Sequence, residues 1–285
     1  AEDGIRDVER SRGLGDVYKR QVMNEAEFKE ISDFIHILAD ASKKITLNGF
    51  LSHKSLKIKD DGSPVTEFDI NAEKTMCRLI SEKFPDHSIL AEEEGSKKLD
   101  SDYTWILDPI DGTRSFIIGR PLWGTLICLV YKDLPIIGLA DFPALNERWL
   151  GYRNNCFFNN SKFKSNHIFT NKISEATIGS TGPNLFSKDG KKKYESLTNA
   201  TRYHVWSGDC HNYCLILKGG LDLVVEQGLA AYDIFPLVPI LKSQEITITD
   251  WNGEQLSFDK NYTGKYSTLV AKNTEIYKSA IDILK

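Results

Sequence analysis

The chain has 285 residues, 41% of them hydrophobic and 27% charged, with a net charge of -4 and an isoelectric point near 5.9. That length can bury a large core in one domain or two closely packed ones. The acidic balance argues against nucleic acid as the main partner, and no apolar run approaches the length of a membrane span, so a soluble protein with no membrane partner is expected.

Read back into DNA, Ala1 to Asp7 and Ser11 to Gln21 look like the two constant parts of a sequencing adapter, with Val8-Glu9-Arg10 where a sample index would lie. We expect residues 1–21 to be an assembly artefact without stable structure, and Met23 to be the native start. Five cysteines, Cys77, Cys128, Cys156, Cys210 and Cys214, form no CxxC pair, a pattern that suits a reducing cytosol.

From Glu25 to Leu47, apolar residues recur at helical spacing, which predicts one amphipathic helix. Leu56 to Lys59 reads as a short strand, DDGSP as a turn, and Asp69 to Phe84 as a second helix with Ala72, Met76, Leu79 and Ile80 inward. Ser88–Ala91, Thr104–Leu107, Gly124–Tyr131, Ile136–Asp141 and Arg148–Tyr152 read as strands, several in a meander that turns at Lys132-Asp133 and Pro143-Ala144. Asn154 to Asn166 looks like an exposed hairpin or linker. Beyond it, strands at Ala176–Ser180, His204–Ser207, Leu221–Glu226, Glu245–Thr249 and Thr268–Ala271 alternate with helices at Leu185–Ala200, Asp209–Lys218, Asp233–Lys242 and Thr274–Leu284. The fold class is thus α+β followed by α/β, with an N-terminal subdomain over 22–164 and a C-terminal one over 165–285.

The segment WILDPIDGTRSF, Trp105 to Phe116, places Asp108 and Asp111 three residues apart where a buried strand gives way to a helix. Pro109 should stop the strand pairing, and Gly112-Thr113 should open a helix whose first N–H groups can receive a phosphate. Carboxylates there can hold Mg²⁺ against that phosphate. Taken alone, such a pair is most often a solvated turn. Three further acidic junctions change the odds: Glu92-Glu93-Glu94-Gly95, Tyr232-Asp233 after Gly228 to Ala231, and Asp69 in GSPVTEFD. Like charges gathered in one place need cations.

GSPVTEFD, AEEEG, WILDPIDGT and AAYD, in that order, resemble the inositol monophosphatase superfamily of Mg²⁺-dependent, lithium-sensitive phosphatases, from about Phe28 to the C-terminus. DPIDGTRSFIIGRPLWGTL, LADFPALNERWLG and GDCHNYCLILKGGLDLVVEQGLAAYD look most like its histidinol-phosphate phosphatase branch. The resemblance implies a layered α-β-α-β-α sandwich and a homodimer, and the cysteine pattern a cytoplasmic one. It implies metal ligands at Glu92, Asp108, the carbonyl of Ile110, Asp111 and Asp233 for two or three Mg²⁺. It gives Thr113 and Asp69 the task of holding an attacking water, with Glu92 beside them as a catalytic ligand. Glu93 would be a supporting or further metal contact, and Lys59, or else Lys57, the lysine of a mobile flap.

The substrate, a small phosphate monoester, would meet Asp111, Gly112, Thr113 and Asp233, with choice resting on Gly208, Asp209, Glu226 and the loop around Arg120. Histidinol phosphate carries an ammonium and an imidazole, so Asp209 and Glu226 make a cation pocket. Asp209 could instead cap the helix that follows it, and His211 reads as a core histidine. Tyr232 stands where the family often has Trp, as in the histidinol-phosphate branch. Lys242-Ser243-Gln244-Glu245 replaces a stretch that usually ends in Ala-Gly-Gly, which leaves that helix end without its glycine. The expected activity is hydrolysis of L-histidinol phosphate to L-histidinol and phosphate in histidine synthesis, by metal-activated water. The alternatives are an inositol-1-monophosphatase or broad sugar-phosphate phosphatase and, in another class, an RNA-polymerase-associated regulatory binding protein.

Overall fold

The computed structural model describes residues 23–52, 56–59, 62–166, 170–259 and 261–285. The expected artefact at 1–21, and Asp60 and Asp61 of the first turn, lie outside the described residues. The described residues divide into two units, 23–37 and Leu38–Lys285. Helix α1, Glu25–Gly49, runs from the first into the second, where it buries Leu38, Ala39, Ser42 and Thr46.

In the second unit, β1 (Leu56–Ile58) and β2 (Pro64–Thr66) form a small hairpin that leads into α2, Glu67–Lys83. This helix starts two residues before Asp69, because Thr66 takes the cap position and Asp69 answers it from the first turn. An eight-stranded sheet follows from β3 (Ser88–Ala91), β4 (Ser96–Lys97), β5 (Tyr103–Asp111), β6 (Gly124–Tyr131), β7 (Leu134–Phe142), β8 (Glu147–Tyr152), β9 (Asn155–Phe158) and β10 (Ser161–Phe163). Its order is β10-β9-β8-β7-β6-β5-β3-β4, antiparallel except where β3 runs beside β5. The segment after Asn154 therefore extends the sheet as a hairpin.

One expected boundary is corrected here. Pro109 does not end β5, whose pairing with β6 lapses after Asp108↔Leu126 and resumes at Asp111↔Gly124. Proline has no N–H to give the ladder, and the strand absorbs it as a bulge. The one-turn helix α3, Thr113–Ile117, begins just beyond.

The rest of the chain adds β11 (Thr177–Ser180), α4 (Lys188–Ala200), β12 (Tyr203–Trp206), α5 (His211–Lys218), β13 (Leu223–Leu229), α6 (Ala231–Ile234), α7 (Leu237–Lys242), β14 (Thr247–Thr249), β15 (Tyr266–Ala271) and α8 (Thr274–Leu284). The single helix expected over Asp233–Lys242 is two short ones, α6 and α7, that meet at Phe235-Pro236. Proline there offers no N–H to the preceding turn. The second sheet has the order β12-β11-β13-β15-β14.

Alternation along the strands divides the core. Ile106, Leu126, Cys128 and Ala140 cluster with Tyr213 and Ile216 of α5 and Leu237 and Ile240 of α7, whereas the fully buried Trp105, Leu107 and Ile127 face the other way, on the side where α2 packs on β5. Helix α7 comes so near the first sheet that a Cβ on Gly151 would lie 2.3 Å from the Cα of Ile240. Behind the second sheet, Tyr194 and Leu197 of α4 meet Ile276 and Ala280 of α8 over Leu223 and Val225. The layers are thus α2, the eight-stranded sheet, α5 with α7, the five-stranded sheet, and α4 with α8. Each large aliphatic side chain buried in them stabilises the fold by roughly 1.5–3 kcal/mol. Among the described residues no helix is long and apolar enough to cross a membrane.

Candidate active site

The β5 bulge builds the centre of the site. Asp108 is the last residue paired before it and Asp111 the first paired after it, so the irregular stretch brings two carboxylates to one end of the strand. The N–H of Ile110 donates to Asp108 Oδ1 at 3.0 Å, and Thr125 Oγ1 holds the carbonyl of Pro109 at 2.8 Å. Asp233, in α6, completes the group, with its Oδ2 accepting the N–H of Ala230 at 2.7 Å. One carboxylate oxygen from each of Asp108, Asp111 and Asp233 lies within 4.8 Å of the other two.

Three ionised groups at that spacing repel by on the order of 3 kcal/mol per pair at an effective dielectric near 20. Burial, and after it the charges of Glu92, Asp111 and Asp233, holds the Asp108 carboxyl well above its usual range. Burial and the neighbouring Asp209 and Asp233 do the same for Asp111, and burial with Glu92 pushes Asp233 up to about 7. Hard oxygen donors crowded in this way fit Mg²⁺, which would relieve the repulsion. Glu92 lines the same pocket of about 250 Å³, together with Asp108, Ile110, Asp111, Gly112, Thr113, Asp209 and Asp233.

Asp69 and Thr113 meet at the edge of this group. Thr113 Oγ1 lies 3.0 Å from the carbonyl of Ile110 and 3.5 Å from Asp69 Oδ1. The other oxygen of Asp69 accepts the N–H of Thr66 at 2.9 Å and the Thr66 hydroxyl, as the capping box of α2. Burial pushes the Asp69 carboxyl up to about 6, against those hydrogen bonds. Thr113 is thus more than a cap, since it touches both a candidate ligand carbonyl and a candidate base. Gly112 between them has φ +83, and a Cβ there would meet the carbonyl of Leu122 at 3.0 Å and Asp209 Oδ2 at 3.2 Å.

Lys59 Nζ lies 2.8 Å from Glu92 Oε1 and 2.7 Å from Glu93 Oε2. Burial would lower the pKa of its ammonium, but the two carboxylates outweigh that and raise it above the ordinary lysine value. The alternative, Lys57, is exposed in β1. Burial and the Glu92 charge push the Glu93 carboxyl up to about 8.

The substrate-selecting residues fare unequally. Asp209 does not cap α5, whose N-cap position is Cys210 without a side-chain bond. Its carboxylate turns instead towards Ser115 Oγ, at 3.5 Å, while the N–H of Cys210 donates to Asp111 Oδ2 at 2.7 Å. Glu226 does not reach the pocket. It is fully buried and bound by Ser180 Oγ and by the N–H and hydroxyl of Thr181, and it is Thr181 that lines the pocket. Gly208 and Arg120 are absent from the pocket wall. Burial raises the Asp209 carboxyl, with Ser115, Thr181, Arg114 and Arg120 acting against it. His211 is a core residue, buried beside Phe142, with burial holding its pKa low.

Three wall residues, Arg114, Thr181 and Lys265, escape the sequence reading, as does Glu73 behind the wall. Glu73 had a readable signal, since it lies one turn beyond Asp69 on the inward face of α2. Lys265 had none, because its loop comes to the pocket only through the tertiary fold.

Comparison with known proteins agrees with this geometry. Residues 21–284 match the inositol monophosphatase family. The bifunctional phosphatase IMPL2, chloroplastic, of Arabidopsis thaliana is 36% identical over 271 residues, 92% of this chain and 77% of that protein. A histidinol-phosphatase of Chlorobaculum parvum is 32% identical over 78% of this chain and 86% of its own length. The structure of an inositol monophosphatase from Zymomonas mobilis superposes with a TM-score of 0.80 at 32% identity, over 90% of this chain and 98% of that one. With its layered fold and its acidic pocket at the β5 bulge, the chain belongs to the inositol monophosphatase family and is a phosphomonoesterase of that family.

Proposed function

We propose that the chain hydrolyses L-histidinol phosphate to L-histidinol and phosphate with Mg²⁺, the phosphatase step of histidine synthesis. The observation that carries this reading is the Asp209 carboxylate in the wall of the pocket that holds Asp108, Asp111 and Asp233. A substrate phosphate among those three leaves the ammonium and imidazole of the same molecule to pair with Asp209. The similarity to a histidinol-phosphatase supports the same choice.

Asp108, Asp111, Asp233, Glu92 and the carbonyl of Ile110 would hold the ions. When bound, Mg²⁺ supplies neutralisation of the phosphate charge and Lewis-acid assistance to the leaving oxygen. The residues themselves do the rest. Thr113 accepts a hydrogen bond from the attacking water and passes its own to Asp69, whose raised pKa suits a base at neutral pH. Arg114, exposed on the wall, limits how much free negative charge Asp209 presents.

That last feature favours a second reading, hydrolysis of an inositol or sugar phosphate, because a carboxylate offset by Arg114 and Arg120 can also accept hydroxyl hydrogen bonds. Phosphate release from L-histidinol phosphate and inositol 1-phosphate, measured side by side with Mg²⁺, separates them. We expect histidinol phosphate to be preferred by at least about 10-fold in kcat/KM and Asp209→Ala to abolish the preference, the loss of a charge-assisted hydrogen bond. Equal rates, or equal losses in the variant, would overturn the assignment. We also infer a cytoplasmic homodimer, which the five free cysteines support for the compartment; sedimentation velocity tests the dimer.

A further inference from the structure

Glu73 is completely buried in the middle of α2, one helical turn after Asp69, and no lysine or arginine pairs with it among the described residues. Its partners are backbone amides. Glu73 Oε2 accepts the N–H of Glu93 at 2.8 Å and Oε1 accepts the N–H of Glu94 at 2.6 Å, while the N–H of Glu92 also acts on the carboxylate. Two consecutive amides therefore donate to its two oxygens, with that of Glu92 beside them, a backbone nest closed around a carboxyl group of the protein itself.

The segment held in this way matters. Strand β3 ends at Ala91, and the chain leaves the sheet at Glu92 in a bend before it turns back at Gly95 into β4. Without β-ladder bonds, the direction of the Glu92 side chain depends on what fixes that bend. A carboxylate buried next to other acids is costly, and an apolar side chain would fill the same space at less cost. What Glu73 alone supplies is a rigid acceptor for both N–H groups.

We propose that Glu73 is a positioning residue that fixes the Glu92–Glu94 bend so that Glu92 faces the metal pocket. Helix α2 then sets two parts of the site as one rigid body, with Asp69 meeting Thr113 and Glu73, one turn on, holding the bend that carries Glu92. The inference rests on reading the pocket as a divalent-cation site.

The test is Mn²⁺ binding by isothermal titration calorimetry, with phosphate release measured separately. Glu73→Gln retains size but turns an amide donor against one of the two N–H groups. It should weaken Mn²⁺ binding by about 10-fold or more, as loss of groups that support metal ligands does, with a much smaller loss in kcat at saturating Mn²⁺. The effect should pass through Glu92, so Glu73→Gln combined with Glu92→Gln should bind Mn²⁺ no more weakly than Glu92→Gln alone. If the Gln variant fails to fold, Glu73→Asp, which keeps the charge but shortens the reach, is measured in its place with the same expectation. Unchanged affinity, additive losses, or absence of Mn²⁺ binding to the unaltered protein would overturn the proposal. Mn²⁺ binding that weakens as expected in a protein with no phosphatase activity would overturn the functional reading and leave Glu73 in place.

Discussion

Thr113 Oγ1 and Asp69 Oδ1 lie 3.5 Å apart although 44 residues separate them in the chain. The pair joins the start of α3 to the first turn of α2 and leaves Thr113 a lone pair for a water. Thr113→Ala should therefore lower kcat by about 100-fold or more, the range of positioned proton transfer, with Mn²⁺ affinity retained. Thr113→Ser should recover most of the rate. A Ser variant as slow as Ala would show that the methyl group matters and the hydroxyl does not.

Crowded carboxylates make the metal-free protein sensitive to pH. Asp69, Asp233 and Glu93 have folded pKa values of about 6, 7 and 8 against ordinary values of 3.8 and 4.5. A group with a raised folded pKa contributes its stability fully below the unfolded value and loses it as pH rises through the folded one. In EDTA the melting temperature should thus fall between pH 5 and 8. Mg²⁺ should restore it most at pH 8, because it binds the ionised carboxylates. Asp108→Asn should flatten the EDTA profile and abolish phosphate release; undiminished turnover would sink the metal assignment.

The candidate metal ligands were legible because each stands at or near the end of an element, and such junctions show in sequence as apolar runs broken by acids. The bulge at Pro109 was not, since proline at a strand end and proline inside a bulge leave the same local signal. The burial of Glu226 behind Thr181 was not legible either. That side chain alternates into the core of β13, and sequence alone does not reveal that Thr181, on the neighbouring β-strand's exit, stands between it and the pocket.

Glu226 gives a prediction of its own. Burial pushes its carboxyl up to about 8, despite hydrogen bonds from Thr181 and Ser180. Its contribution to stability is full below pH 4.5 and is lost as pH rises through about 8. Glu226→Gln should raise the melting temperature at pH 8 and leave it nearly unchanged at pH 4.5. KM for histidinol phosphate should change less than about 3-fold, since the side chain lies behind Thr181 and makes no uniform binding contact. A large rise in KM at unchanged kcat would return Glu226 to the substrate site.

The end of α7 lacks the glycine that such ends favour, and the structure shows what takes its place. Glu245 adopts φ 57, and its N–H reaches the carbonyl of Lys242 at 3.0 Å while Ile246 N–H reaches that of Leu241 at 3.2 Å. Those are the two bonds of a Schellman ending, with an L-residue in the left-handed position at a cost of about 1–2 kcal/mol. Its ion pair with Lys272, at 3.9 Å on a side chain 94% exposed, recovers little of this. Glu245→Gly removes the strain and adds unfolded-chain entropy, for a net gain of about 0.5–1 kcal/mol and a melting temperature higher by about 1–4 °C. Glu245→Ala removes the same ion pair but retains the strain, so it should gain nothing. An equal rise in both variants would assign the effect to charge rather than to backbone conformation.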